Sequence, residues 1–315
     1  MPPLTIAVTG ATGFCGSHLA ELATARGHQV LSLGRRPARH GVHLPWDAAE
    51  PHTPDLSAAD VVIHCAAAVG DHPPGSPAER TQHTVNVEAT ARLLDAASGR
   101  PFVLVSSASV YDPRPDRSRT TEEHPTDGGH LNAYGRTKAA ADRLALAAGA
   151  VVLRPRAVYG PGDPHLVPRL LAAVRRGVLP LPGGDVELSL TAVENLAAAC
   201  LLAPGWPPGA YNVTDRAPYR RDAALRRVLA AHGRRVRLVH VPRRVAALAV
   251  GRRPGVTRYA LDQLAHPVVL ETTKSRHQGF TPDRDLDGYL ARLGRPEGRS
   301  HAGSSAALPR VHPPA

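Results

Sequence analysis

The sequence has few cysteines and no metal-binding spacing, which argues against a disulfide-stabilised protein and against a zinc site. Its three cysteines, Cys15, Cys65 and Cys200, are odd in number and far apart along the chain. This pattern is not a disulfide framework, and it fits the reducing environment of the cytoplasm. No paired spacing of cysteine and histidine indicates a zinc site. We therefore expect a cytoplasmic protein without a bound metal.

Long hydrophobic runs are also missing from the sequence. No apolar stretch approaches the roughly 18 residues that a membrane-spanning helix requires. The first five residues lack the basic and apolar segments of a signal peptide. We therefore expect no membrane partner. The 315 residues, 43% of them hydrophobic, are enough for one large domain or for a main domain with a smaller companion.

Lysine is nearly absent, since only Lys138 and Lys274 occur among 38 basic residues. The formal net charge is +11, but arginine is spread along the whole chain without a basic block or interleaved aromatic residues. We therefore expect no nucleic-acid partner. A lysine that is kept in this background indicates a role that arginine cannot fill, namely a compact ammonium with a tunable proton.

The first 155 residues alternate short apolar runs with longer helical patterns, which predicts βαβ units and a parallel sheet covered on both faces. We therefore predict an α/β fold in which residues 1–155 form a doubly wound, Rossmann-type dinucleotide-binding domain. The predicted strands are Leu4–Val8, Gln29–Leu33, Val61–His64, Phe102–Ser106 and Ala150–Arg154. The predicted helices are Gly16–Thr24, Thr84–Ala97 and Ala133–Ala148.

The pattern changes after residue 155, where glycine and proline become dense. Short predicted strands at Ala210–Val213 and Val236–Val241 interrupt the helices there. This predicts a smaller, substrate-binding domain over residues 156–294. A helix expected at Val193–Ala203 is placed to pack back against the main sheet. Residues 295–315 are rich in Pro, Gly, Ser, Ala and Arg without periodicity, and we predict a disordered tail.

A glycine-rich segment joins the first predicted strand to the first predicted helix. Gly10 permits the tight turn, Gly13 lets backbone approach a pyrophosphate, and Gly16 lets the helix pack closely on the sheet. The helix N-terminus then offers unpaired N–H groups and a positive dipole end to phosphates. In this context the segment predicts a dinucleotide site. The residues assigned to it are Gly10, Thr12, Gly13, Phe14, Cys15 and Gly16.

The end of the second predicted strand bears on the choice of cofactor. Sites that prefer NAD tend to place an acidic side chain here for the ribose 2′-hydroxyl. This sequence has Arg35 and Arg36 instead, and two guanidinium groups suit a 2′-phosphate. We therefore expect NADP in preference to NAD. The alternative is that both arginines simply face solvent in an arginine-rich protein.

Tyr134 and Lys138 are four residues apart and share one face of the third predicted helix. A neighbouring ammonium favours the phenolate, so we expect it to lower the pKa of the tyrosine and allow proton exchange with an alcohol. Ser107 and Ser109 follow a predicted strand at the carboxyl edge of the sheet, where ligands bind in such folds. A serine hydroxyl at this edge is placed to donate to a substrate carbonyl, and the alternative for either serine is a cap of the strand end.

These segments, taken in order, resemble the extended short-chain dehydrogenase/reductase family, also called the NAD-dependent epimerase/dehydratase family. The resemblance rests on the G-x-x-G-x-x-G turn, Asp60–Ala68, the N-V-x-x-T pattern beginning at Asn86, Ser106–Tyr111, the Y-x-x-x-K pair, Leu153–Gly162, Tyr211–Val213 and Thr273–Pro282. It covers residues 4–294 and implies an enzyme that forms a homodimer.

The resemblance also implies roles for individual residues. It gives the catalytic roles to Ser107, Tyr134 and Lys138, and places Asn86 near the active site, where it supports the lysine through water. Asp47 corresponds to the carboxylate that meets the adenine amino group, although a surface aspartate is an equally good interpretation. The other residues implied at the cofactor are Ala48, Ala66, Ala67, Ala68, Pro155 and Val158, and those implied at the substrate are Ser109 and Tyr159. His64 lies inside an apolar strand, and we interpret it as a core residue.

The second part of the chain indicates the subfamily. Members that act on sugar nucleotides carry an arginine for the diphosphate where this chain has Leu188, and leucine cannot pair with a phosphate. Residues 193–195, Val-Glu-Asn, are closer to members that resemble 3β-hydroxysteroid dehydrogenases and ketoreductases. We therefore expect a ketone and secondary alcohol to be interconverted on a small, relatively apolar substrate. The alternatives are an epimerase that uses transient hydride transfer and a non-catalytic NADP-binding regulator.

Overall fold

A computed structural model describes residues 2–253 and 255–293 of the chain. The tail predicted at residues 295–315 lies outside these residues. The strands are β1 (Thr5–Thr9), β2 (Gln29–Gly34), β3 (Val42–Pro45), β4 (Val61–His64), β5 (Phe102–Val105), β6 (Val151–Pro155), β7 (Val158–Tyr159), β8 (Val178–Pro182), β9 (Glu187–Leu188), β10 (Thr191–Ala192), β11 (Gly209–Val213), β12 (Tyr219–Arg220) and β13 (Arg237–Val241).

The helices alternate with these strands in the first half of the chain and dominate the second half. They are α1 (Phe14–Ala25), α2 (Pro77–His83), α3 (Ala89–Ala97), α4 (Ala133–Ala147), α5 (Leu166–Ala173), α6 (Val193–Leu202), α7 (Arg221–Ala231), α8 (Arg243–Ala247), α9 (Arg258–Ala265), α10 (Thr273–His277) and α11 (Leu286–Leu293). None of the helices in the described part of the chain is long and apolar enough to cross a membrane.

Seven parallel strands form the central sheet, in the order β11-β6-β5-β4-β1-β2-β3. Every residue of β4, β5 and β6 is buried, as expected for strands covered on both faces. The strand order from β3 to β6 is that of a Rossmann fold. The predicted fold class is confirmed, and the predicted strand ends differ from the observed ones by one residue in most cases.

Helices cover both faces of the sheet. On one face, apolar residues of α1 and α6 pack with those of the sheet in one core cluster, which includes Leu19, Leu196 and Cys200. On the other face, α3 and α4 pack against the sheet through residues such as Leu93 and Ala141. This leaves the two edges at the strand ends as the places where a ligand can approach.

The helix predicted at Thr84–Ala97 is longer and less regular than expected. It begins at Pro77, with proline in the first turn, where the missing N–H costs nothing. A π-helical turn at Thr84–Glu88 separates α2 from α3. The residues of α2 are mostly polar, so apolar periodicity could not reveal it. The wider turn carries the buried Asn86, and such turns are frequent at functional sites.

The strands after residue 155 form three small pairs beside the central sheet: β7 with β10, β8 with β13, and β9 with β12. The remaining strand, β11, lies at the edge of the central sheet and pairs with β6 in parallel. The sequence pattern grouped this strand with the second domain. Because β11 belongs to the central sheet, both parts of the chain contribute strands to that sheet.

A buried ion pair connects α4 to β6. The Arg154 guanidinium donates to both carboxylate oxygens of Asp142, at 2.7 and 3.0 Å, and both side chains are almost fully buried. The Ser106 hydroxyl donates to the same carboxylate at 2.7 Å. Buried charges of this kind are stable only when they are fully paired.

We predict that Asp142→Asn lowers the free energy of unfolding by about 3–5 kcal/mol, because it leaves the Arg154 charge buried without a counter-ion. Chemical denaturation monitored by circular dichroism measures the change. Glu194→Gln is the matched control, since Glu194 pairs with Arg292 at the surface, and its loss should cost less than about 1 kcal/mol. Equal losses in the two variants would contradict the prediction.

Candidate active site

The glycine-rich turn lies where the strand order reverses, between β1 and β4. The Gly10 backbone has a φ of +67°, and a Cβ there would lie 2.9 Å from the Ala66 backbone. A Cβ on Gly16 would overlap the carbonyl oxygen of Gly10. Both positions therefore require glycine, and they hold the start of α1 directly against the ends of β1 and β4.

The first turn of α1 is open to an anion. Gly13 precedes the helix, and no side chain caps the turn or places an acidic group in it. Thr12 and Gly13 are exposed, and Phe14 and Cys15 are half-buried. The helix therefore presents unpaired N–H groups and the positive end of its dipole at a position where glycine leaves space. This arrangement fits the pyrophosphate of a dinucleotide.

The end of β4 is fixed by a buried polar network. The Thr9 side-chain oxygen accepts hydrogen bonds from the backbone N–H groups of Cys65 and Ala66, each at 3.1 Å. Its hydroxyl meets His64 Nδ1 at 2.6 Å, and His64 Nε2 meets the Thr90 hydroxyl at 3.1 Å. Because Thr9 accepts from two N–H groups, its hydroxyl donates to His64, which therefore carries its proton on Nε2.

His64 is confirmed as a core residue, with a relative exposure of 1%. Burial, with a contribution from the charge of Lys138, lowers the pKa of His64 to about 3. The imidazole is therefore neutral and serves to position the backbone after β4. It is not a proton donor or acceptor for a substrate.

Asn86 joins the same backbone to α4. Its side-chain oxygen accepts from the Ala68 N–H at 2.8 Å, and its amide group donates to the Ala68 carbonyl and to the Thr137 hydroxyl. Asn86 therefore holds the segment Ala66–Ala68 and the residue beside Lys138 in one arrangement. The family resemblance placed Asn86 near Lys138. The residue of α4 to which Asn86 donates a hydrogen bond is Thr137, next to Lys138 in the chain.

Tyr134 and Lys138 both lie in the first two turns of α4. The Asn132 side chain caps this helix by accepting the Gly135 N–H at 2.8 Å. A Cβ on Gly135 would lie 2.6 Å from the Ser109 carbonyl oxygen, so glycine allows the helix to approach the segment after β5. Lys138 Nζ donates to the Val105 carbonyl at 2.8 Å, at the carboxyl end of that strand.

The Lys138 ammonium is nearly inaccessible to water, with 2% relative exposure. Burial lowers the pKa of Lys138 to about 8, although Asp142, Cys65 and Cys15 act to raise it. The group is therefore largely charged at neutral pH and close to its titration range. This is the tunable ammonium that the rarity of lysine in the sequence suggested.

The lowered pKa that the sequence predicted for Tyr134 is not seen. Burial raises the pKa of Tyr134 above its ordinary value, Tyr259 and Cys15 raise it further, and a hydrogen bond with Ser107 lowers it. The prediction of a lowered pKa is wrong for this arrangement, because desolvation of the half-buried phenol outweighs any help from the ammonium. The phenol is a proton donor in this state, as reduction of a carbonyl requires.

Ser107 and Ser109 lie together directly after β5. The Ser107 side-chain oxygen accepts from the Ser109 N–H at 3.2 Å and from the Ser109 hydroxyl at 2.9 Å. These bonds leave the Ser107 hydroxyl hydrogen free to donate toward Tyr134 or a substrate oxygen. Ser109 therefore orients Ser107, which is a positioning role beside the substrate role implied for it.

The remaining residues assigned to the cofactor lie along the same edge. Arg35 and Arg36 are exposed after β2. Asp47 forms a local turn in which one carboxylate oxygen accepts the Ala49 N–H at 2.9 Å, and Ala48 is buried next to it. Pro155 ends β6 and Val158 follows it, half-buried.

Tyr159 lies elsewhere. Its side chain is 1% exposed, its hydroxyl donates to Asp215 at 2.6 Å, and its ring packs on Tyr289 at 5.6 Å between centroids. The substrate role implied for this residue is therefore not supported by its position, because the hydroxyl is already bonded in a separate core cluster.

The structure brings together residues that the sequence did not connect. Cys15 and Cys65 pack against the core cluster that contains Cys200, and burial raises the pKa of Cys15 to about 12. Tyr259 of α9 acts electrostatically on both Tyr134 and Arg156. No motif marks α9, so only the hydrogen bonds from Arg156, directly after β6, to Gln263 of this helix could have identified it.

Comparisons with known proteins agree with this arrangement. The model of the NAD dependent epimerase/dehydratase family matches residues 6–214, and the chain belongs to this family, as the sequence predicted. The chain is an NAD(P)-dependent enzyme of the short-chain dehydrogenase/reductase type.

Individual relatives and structures are similar over much of the chain. A 2-alkyl-3-oxoalkanoate reductase of Stenotrophomonas maltophilia is 29% identical over 92% of this chain and 98% of its own length. The human sterol-4-alpha-carboxylate 3-dehydrogenase, decarboxylating, is 28% identical over 62% of this chain and 56% of its own. The structure of MoeE5 in complex with UDP-glucuronic acid and NAD has a TM-score of 0.71 and 25% identity, covering 91% of this chain and 96% of that one.

We predict that Gly16→Ala weakens NAD(P) binding at least about tenfold and lowers the melting temperature, because the added Cβ forces α1 away from Gly10. Fluorescence titration and thermal unfolding measure the two effects. Gly184→Ala is the control, since nothing lies within 4 Å of a Cβ there. If both variants bound cofactor equally well, the close approach would not be needed for binding.

Proposed function

We propose that the protein is an NADP(H)-dependent ketoreductase that interconverts a ketone and a secondary alcohol. The observation that carries the proposal is the placement of Tyr134, Lys138 and Ser107 at one edge of the sheet, beside the glycine-rich turn. The turn fits a dinucleotide because Gly10 and Gly16 leave the space that side chains would fill. When bound, the nicotinamide supplies and accepts hydride.

Each of the three side chains has a distinct task in this reaction. The Ser107 hydroxyl donates to the substrate oxygen and stabilises its developing negative charge. The Tyr134 hydroxyl gives its proton to that oxygen, and accepts it in the reverse direction. Lys138, held by the Val105 carbonyl, contributes a positive charge that favours the transient phenolate.

The preference for NADP is supported by the charge after β2. Arg35 and Arg36 are exposed, and no ion pair within the described residues engages either of them. Two free guanidinium groups suit a 2′-phosphate better than a 2′-hydroxyl.

The names of the relatives support a ketone that carries a carboxylate. In a 3-oxoalkanoate one carbon separates the carbonyl carbon that is reduced from the carboxylate carbon. In a sterol 4-carboxylate oxidised at position 3 the same spacing occurs. We propose this substrate class for the present chain, with an apolar remainder, as expected from the lack of an arginine at Leu188.

We predict that Tyr134→Phe lowers kcat by about 10³-fold, because the proton donor is lost, while NADPH binding changes little. Steady-state NADPH oxidation with a 3-oxoalkanoate and fluorescence titration of NADPH measure the two quantities. Tyr289→Phe is the control, because Tyr289 packs on Tyr159 in a separate core cluster. Full activity of the Tyr134 variant would refute the proposed mechanism.

We further predict that the double variant Arg35→Ser, Arg36→Ser raises KM for NADPH by about 10–100-fold and leaves KM for NADH nearly the same, since only the 2′-phosphate loses its partners. The ratio of kcat/KM for the two cofactors is the measurement. Arg26→Ser removes an exposed charge at the far end of α1 and serves as the control. An unchanged ratio in the double variant would argue for NAD.

A further inference from the structure

Four arginines of the described chain are almost fully buried: Arg117, Arg154, Arg156 and Arg221. Buried charges in proteins are normally paired with an opposite charge, because desolvation is costly. Three of the four follow this rule. Arg117 pairs with Asp262, Arg154 with Asp142 and Arg221 with Asp222, at 2.7–2.8 Å.

Arg156 is the exception. Its guanidinium donates to the Ser189 carbonyl at 2.8 Å and to the carbonyl and side-chain oxygens of Gln263 at 3.2 and 3.1 Å. All three acceptors are neutral. No carboxylate within the described residues forms an ion pair with it, and its buried Nε has no hydrogen-bond partner there. A 5% exposed cation thus lacks one acceptor and one negative charge.

The carboxylate whose charge acts on Arg156 is that of Asp262, and it is already paired. Asp262 accepts two hydrogen bonds from Arg117, at 2.8 and 2.9 Å, and Arg117 itself acts against the charge of Arg156. Asp262 is therefore paired with Arg117 and not with Arg156, and the three side chains together carry a net charge of +1. Burial lowers the pKa of Arg156 to about 10, which agrees with a charge that is incompletely compensated.

The position of Arg156 connects it to the active site. It directly follows β6 at the carboxyl edge of the sheet, and the next residue, Ala157, adopts a φ of +44°, a conformation that costs energy outside glycine. Gln263, which contacts Arg156, and Tyr259 are four residues apart on one face of α9. The charge of Tyr259 acts to raise the pKa of Arg156 and that of Tyr134.

We propose that Arg156 binds the carboxylate of an oxo acid or hydroxy acid substrate and is the residue that makes the enzyme specific for acids. A carboxylate would supply both the missing acceptor for Nε and the missing negative charge, and the planar guanidinium matches its geometry. This inference rests on the proposed ketoreductase function, because Tyr134 defines the end of the site at which the carbonyl lies.

The test compares two substrates that differ only in the carboxylate. 3-Hydroxyoctanoate and 2-heptanol have the same secondary alcohol and the same alkyl chain, and oxidation by NADP⁺ is followed by absorbance. The wild-type protein should have a higher kcat/KM for the acid. In Arg156→Gln the ratio of the two kcat/KM values should fall about 30-fold or more, mainly through KM, because one partner of a buried charge pair is lost.

Two further variants separate charge from structure. Arg156→Lys keeps the positive charge and should retain part of the preference for the acid. Gln263→Glu places a carboxylate where the Gln263 side chain meets Arg156, so it should stabilise the fold and also abolish the preference. An equal loss on both substrates in Arg156→Gln would show a merely structural role and overturn the inference, as would a wild-type ratio near one.

A binding measurement keeps this inference separate from the proposed reaction. Calorimetric titration of the full chain with NADP⁺ present should show binding of 3-hydroxyoctanoate that Arg156→Gln removes. If neither substrate is turned over but this binding occurs, the ketoreductase proposal fails and the carboxylate site stands. If turnover occurs without any dependence on the carboxylate, the carboxylate site fails and the reaction stands.

Discussion

The buried ammonium of Lys138 organises the candidate active site. It is held by the carbonyl that ends β5, so the first two turns of α4 are fixed against the carboxyl edge of the sheet. Tyr134 lies one turn earlier on the same helix and meets Ser107, which lies two residues after Val105 along the chain. Because the ammonium has little access to water, its charge acts on its neighbours with little screening, and it helps to keep His64 neutral.

The polar groups around this ammonium form a connected framework of short side chains. Thr9, His64 and Thr90 are linked from β1 to the helix that follows the π turn, and Asn86 extends the link to α4. Nearly every donor and acceptor in this chain of contacts is used, and such satisfied networks make a core specific and rigid. Ser107, Tyr134 and Lys138 are therefore held in place by secondary structure and by a rigid core. A reaction that transfers hydride requires its groups to be positioned in this way.

Local patterns in the sequence were enough to predict the sheet, the glycine turn and the pair Tyr134 and Lys138, because each depends on residues close together in the chain. The helix before Asn86 was missed because its residues are polar. The direction of the pKa shift of Tyr134 was predicted wrongly, since burial depends on segments far away in sequence, among them α9. Tyr259 and Arg156 were missed for the same reason: their importance arises from the contact of β6 with a helix about 100 residues later, which no periodicity encodes.

The strand Gly209–Val213 gives the chain an unusual dependence on its own later residues. The family model ends at residue 214, directly after this strand, and not at the end of β6. If synthesis or proteolysis stopped the chain near residue 155, β6 would be left as a bare apolar edge with unpaired backbone groups, which is a template for aggregation. Because β11 pairs with β6 along its whole length, the nucleotide-binding part of the sheet gains this edge strand only from residues that are synthesised after position 208.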